Sequence, residues 1–166
     1  MNGVAHAQCL ALYNRWQNRS LYGCADRLSD EERRRERGAF FGSIHKTLGH
    51  VLWADRLWFY RFGAGPSPEA SFEESRLVLL DWAELRRQRT EMDAAIIDWA
   101  ATLDAAWLAG EHRYFQSNTG LTLGKPRWEL VTHFFNHQTH HRGQVHCLLT
   151  QAGQMPDDTD LPMMPE

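Results

Sequence analysis

The chain lacks the features that mark several protein classes. Its three cysteines, Cys9, Cys24 and Cys147, are odd in number, widely spaced and without a CxxC pair. That argues against a cysteine zinc ribbon or a disulfide framework, and the expected compartment is a reducing, cytoplasmic one. No apolar run is long enough to span a bilayer. Met1-Asn2-Gly3-Val4-Ala5-His6 also lacks the basic and apolar regions of a signal peptide, so no membrane partner is expected. Positive charge is not in excess: 18 basic residues, only two of them lysine, face 21 acidic ones, for a net charge of −3. That balance gives no electrostatic ground for nucleic acid as a partner. Internal repeats and low-complexity stretches are absent as well. At 43% hydrophobic and 23% charged, the composition excludes a collagen-like or largely disordered chain. The length suits one domain, residues 1–166, with a sizeable core. What the chain has in plenty is histidine, nine in all.

Periodicity predicts an all-α chain. Leu10, Tyr13, Gln17 and Leu21 recur at helical spacing within a first helix from Val4 to Leu28. Ser29-Asp30 reads as a cap, and the alternating charges of Glu31 to Arg37 read as a solvated connection. A second helix starts between Phe40 and Ser43 and runs to Phe62, where Gly63-Ala64-Gly65-Pro66-Ser67-Pro68 stops it. A long third helix follows Ser71, carrying Leu77, Leu80, Leu85, Met92, Ile96, Trp99 and Leu103, with a break before Trp107 allowed and Gly110 as its end. Residues 112–125 read as a short hairpin or loop turning at Asn118-Thr119-Gly120. Pro126 opens a last helix to Gln151, stopped by Gly153 and Pro156, and the acidic tail beyond is expected to be irregular. Four helices with short connections predict an antiparallel four-helix bundle.

Candidate chemistry concentrates in the last helix. Residues four apart differ by about 40° and rise about 6 Å, so His133 with His137, or His137 with His141, can converge on one atom. His133 and His141 stand about 12 Å apart along the axis and cannot both join His137 on one ion. Leu130, Phe134, His141, Gln144 and Leu148 fall within about 60° of His137, which places His137 and His141 on the core face. His140 and His146 fall toward the surface. Buried imidazoles need partners for their nitrogens, which neighbouring polar groups or a metal ion can supply. On the second helix His50 lies on a stripe with Ser43, Thr47, Ala54, Leu57 and Arg61, while His45 lies about 140° away and is expected to be exposed. His50 is therefore the better third ligand. His6 and His112 have no supporting pattern.

The segments Ser43-Ile44-His45-Lys46-Thr47-Leu48-Gly49-His50-Val51-Leu52-Trp53-Ala54-Asp55-Arg56-Leu57-Trp58 and Asn136-His137-Gln138-Thr139-His140-His141-Arg142-Gly143-Gln144 closely resemble the DinB family of metalloproteins. The resemblance extends to Tyr13-Asn14-Arg15-Trp16 and to Gly153, and so covers nearly the whole chain. It implies an up-down-down-up four-helix bundle and a metal site of three histidines, which carry over to His50, His137 and His141. Some relatives are thiol-dependent S-transferases, and family members often form homodimers.

Three neutral imidazoles leave a divalent metal Lewis acidic and suit zinc or nickel, with iron also compatible. The resemblance therefore implies a metal-dependent transferase that activates a small-molecule thiol toward an electrophile. Rival expectations are a non-catalytic, stress-associated metal-binding protein and a metal-dependent hydrolase. Gln144 is expected to face inward and orient a ligand, with Asn136 and Arg142 beside or at the rim of the site. Nothing in the sequence identifies a general base.

Overall fold

The computed structural model describes residues 3–77, 80–116 and 119–165. It is mostly helical with a small two-stranded sheet. Four long helices dominate: α1 (Gly3–Asp26), α3 (Ile44–Arg61), α5 (Trp82–Thr102) and α7 (Arg127–Gln151). Between them lie the short α2 (Asp30–Arg34), α4 (Phe72–Leu77) and α6 (Ala105–Ala109), then the strands β1 (Glu111–Gln116) and β2 (Leu121–Pro126). Helices α1 and α3 each pack against both α5 and α7. Their inward faces meet in one apolar cluster that includes Leu21, Ile44, Leu52, Leu85, Ile96, Phe134 and Leu149.

Side-chain caps set the helix starts. Ser43 Oγ accepts from the Lys46 amide at 3.2 Å and opens α3. Ser71 and Glu74 bond each other's backbone amides, a capping box that opens α4. The long third helix expected from the sequence is divided twice, at Asp81, which was not expected, and at the break before Trp107, which was allowed. Asp81 accepts from the Glu84 amide at 2.9 Å to begin α5, and Asp104 accepts from the Trp107 amide at 2.7 Å to begin α6. Leu80 falls in the connection rather than on a helix. An N-cap side chain satisfies free amides at a new start, and that local bond outweighs the continuing apolar periodicity.

The hairpin is present, with Glu111 opposite Pro126 and Gln116 opposite Leu121 in antiparallel register. Asn118 of its expected turn lies outside the described residues; Gly120 holds a left-handed φ of 68°. At the far end of α7, Gly153 at φ 77° lets the Gln154 amide reach the Leu149 carbonyl at 2.9 Å, closing the helix. The tail then folds back along α1. Tyr13 donates to the Thr159 carbonyl at 2.7 Å, Gln17 to that of Asp158 at 2.8 Å, and Ser20 accepts from the Asp157 amide at 2.8 Å.

Two expectations about charge are corrected. The run Glu31 to Arg37 starts within α2 and continues as irregular chain from Arg35; it is largely exposed, yet Arg33 is buried. Its guanidinium lies over the Trp82 ring at 4.7 Å and donates to the Ala25 carbonyl at 3.1 Å. Arg142, expected near the metal-ligand candidates or their rim, is instead buried in a polar network spanning all four long helices.

At the centre of that network stands Arg89, 2% exposed. It bonds Asp55 of α3 at 2.6 Å and pairs with Asp93, one turn along α5, at 2.9 Å. Asn14 and Asn18 of α1 donate to Asp93 at 3.1 and 2.8 Å. Gln138 of α7 donates to Asp55 at 2.9 Å, and Arg142 donates to Asn14. Burial pushes both carboxyls up, against the pull of Arg89. Burial likewise works against the Arg89 cation, but Asp93 and Asp55 outweigh it and hold it protonated.

Removing one member of such a network strands buried charge. Arg89→Met is expected to lower unfolding stability by about 3–5 kcal/mol, read as a fall in the urea midpoint. A loss below about 1 kcal/mol would show that the network is dispensable.

Candidate metal centre

Three histidines from two helices converge beside this network. His50 projects from α3, and His137 and His141 from successive turns of α7. One ring nitrogen from each lies within 4.8 Å of those of the other two. The Nε2 atoms of His50 and His137 are 3.3 Å apart. The His141 ring centroid is 4.7 Å from that of His50 and 4.5 Å from that of His137. Two nitrogens bound to one tetrahedral ion at about 2.0–2.1 Å each stand about 3.3–3.4 Å apart, so the His50–His137 spacing fits a shared divalent ion.

The surroundings favour neutral rings. Burial lowers the pKa of His137 to about 4, assisted by the neighbouring His141, His133 and His140. Burial lowers His141 as well, against the opposing effect of the hydrogen bond it donates to Gln144. A neutral imidazole keeps one lone pair for a metal. For His141 that atom is set by Gln144, whose Oε1 lies 2.8 Å from His141 Nδ1. An amide oxygen only accepts, so Nδ1 carries the proton and Nε2 is left for coordination. Gln144 is itself oriented by its amide nitrogen, 3.2 Å from His140 Nε2.

Phe41 closes one side. Its ring stacks on His50 at 4.0 Å and 24°, and lies 5.5 Å from His141. Phe41 arrives there through the turn ending at Gly42, whose φ of 82° favours glycine and where an added Cβ would strike the Glu36 carboxylate. Trp53 and Phe72 approach the His50 ring at 6.2 and 6.0 Å. These aromatics are not marked by the helical spacing that singles out the histidines; Phe41 lies before α3, next to Gly42.

The other histidines take different places. His133, the nearest competitor, is exposed, and its ring packs on Trp58 at 5.1 Å. His112 stacks on Tyr114, and His6 and His140 are exposed. His45, expected on the solvent side, is fully buried. Its Nε2 donates to the Leu80 carbonyl at 2.9 Å. Leu80 and the Trp82 ring cover that face of α3, a tertiary contact that the periodicity of α3 alone does not reveal. Asn136 is exposed, and Gln144 is half-buried.

Helix α7 also turns further than expected. Its fully buried positions centre on Gln138 and Val145, not on His137, which sits half-buried at the edge of the core face. The cluster therefore lies at the margin of the core.

Comparison with known proteins agrees with this architecture. A family model described as the DinB family matches residues 2–166. Protein DinB of Bacillus subtilis is 27% identical over 156 residues, covering 89% of this chain and 87% of that protein. The crystal structure of a DinB-like protein from Bacillus cereus superposes with a TM-score of 0.65 at 18% identity, covering 86% of this chain and 90% of that one. The likeness in structure is one of fold, and the sequence match carries the family: this chain belongs to the DinB family.

Proposed function

We propose that His50, His137 and His141 together hold one divalent metal ion, zinc or nickel, with iron also compatible, and that the protein is a metal-dependent transferase acting on a small thiol. The observation that carries this reading is the convergence of three ring nitrogens within 4.8 Å in surroundings that disfavour their protonation. A divalent ion held by three neutral imidazoles supplies Lewis acidity that lowers the pKa of a thiol or water presented to it.

The chain's own residues have distinct tasks. Gln144 fixes the tautomer and direction of His141. Phe41 covers His50 and excludes water from that side. His137, half-buried, marks the open edge by which a small thiol and its electrophile enter. The same reading takes residues 1–166 as one domain whose four long helices run up-down-down-up. The exposed Phe115, Leu121 and Trp128 offer apolar area for a homodimer contact.

Metal analysis of untagged protein is expected to give one equivalent per chain, falling below a tenth of that, roughly, in His137→Ala and in His50→Ala. Unchanged metal content in either variant would remove the site. Gln144→Leu is expected to weaken metal affinity by about 10- to 100-fold while leaving the thermal midpoint of the metal-free protein nearly unchanged. Metal-loaded protein given a panel of low-molecular-weight thiols and monochlorobimane is expected to form conjugate only with metal and thiol together. No conjugation with any thiol, while metal still binds, would leave a non-catalytic metal protein; turnover of esters without thiol would favour a hydrolase.

A further inference from the structure

A cavity of about 680 Å³ lies between α3, α5 and residues 64–70, with none of the three clustered histidines in its lining. Small-molecule sites commonly span about 300–1,000 Å³. On α3, His45, Gly49, Leu52 and Arg56 recur at helical spacing and face this space; on α5, Leu85, Gln88 and Met92 do the same. The α3 wall runs about 16 Å from His45 to Arg56 at about 1.5 Å per residue, with an apolar middle.

Its polar groups are unsatisfied in a particular way. His45 Nε2 donates to the Leu80 carbonyl, so Nδ1 presents a lone pair. That atom is buried and has no partner among the described residues. Gln88 donates its amide nitrogen to Glu84, which leaves Oε1 a buried acceptor, again without a partner among the described residues. Arg56 is half-buried and joins none of the ion pairs among the described residues; burial lowers its pKa. Gly49 adds a further observation. Glycine weakens a helix interior, yet a Cβ here would meet nothing within 4 Å. No close contact at the Cβ position requires glycine, and its effect is to widen the cavity.

We propose that this cavity binds an elongated apolar organic acid with one carboxylate at one end and a hydroxyl or N–H donor at the other. The carboxylate meets Arg56, the donor meets His45 Nδ1 or Gln88 Oε1, and the body lies along Leu52, Leu85 and Met92 against Trp53. Glu69 and Glu91 are exposed at the rim, and Glu91 is engaged by Arg87. Their charge disfavours a second acid group, which makes the ligand a monoacid. The inference is independent of the metal reading.

Calorimetric titration of the full chain with ω-hydroxydecanoate, its methyl ester and plain decanoate tests this. The expected result is one ω-hydroxydecanoate per chain, with the ester and decanoate each weaker. Arg56→Gln is expected to weaken the acid about tenfold and leave the ester unchanged. Gly49→Leu is expected to abolish binding while circular dichroism and metal content stay those of the parent; Gly49→Ala gives a smaller loss should the leucine variant not fold. Failure of all three probes to bind, equal binding of acid and ester, or indifference of the acid to Arg56→Gln would overturn the proposal.

Discussion

The burial of Arg89 between Asp55 and Asp93 is the constraint from which the rest of the arrangement follows. A guanidinium and two carboxylates in an apolar core are tolerated only if each finds its partner in one geometry. Asp55 belongs to α3, Arg89 and Asp93 to α5, Asn14 and Asn18 to α1, and Gln138 and Arg142 to α7. Apolar side chains alone would let these helices slide by a fraction of a turn at small cost, since packing tolerates many similar fits. The polar network sets their axial register.

That register positions the histidines. Gln138 and Arg142 directly follow His137 and His141, so each network residue on α7 is one helical step from a clustered imidazole. A step of about 100° turns the polar side chain into the core while its neighbour points to the margin. On α3, Asp55 stands five residues after His50, about 7.5 Å along the axis. The Gln138–Asp55 bond therefore ties α7, one residue past His137, to α3 little more than a turn past His50, close to where the two rings approach to 3.3 Å. Separating the two helices by one turn would carry the rings about 5.4 Å apart and dissolve the cluster.

Much of this was legible in the sequence, because helical spacing is a local property. The ends of α3 and α7, the hairpin and the three histidines all follow from periodicity, turn residues and motif. What was not legible depends on contacts between distant segments. Arg33 lies in a run whose alternating charges mark a solvated surface, but its guanidinium packs on Trp82, far along the chain, and bonds the Ala25 carbonyl. His45 is on the outer side of α3 by its own periodicity, but Leu80 and the Trp82 ring lie over it. The break before Trp107 was allowed by the sequence, but the earlier division at Asp81 was not, because its capping bond competes locally with an apolar pattern that continues across it. On α7 the buried face was centred on the histidines because glutamine and arginine count as polar, although Gln138 and Arg142 are buried through their partners.

The margin of the core is where the chemical demands on the cluster can all be met. In the centre an ion would be sealed from any reactant, and three imidazoles would replace apolar packing at great cost. On the open surface water would stabilise the protonated rings, and protons would compete with metal near neutral pH. At the edge, burial lowers the His137 pKa to about 4, so the ring is neutral at physiological pH, while its half-buried position keeps one side accessible. Phe41 and Trp53 extend low-dielectric cover over His50 from the opposite side. The aromatic cover and the open edge are thus complementary: one keeps the imidazoles neutral, and the other leaves one side of the cluster accessible.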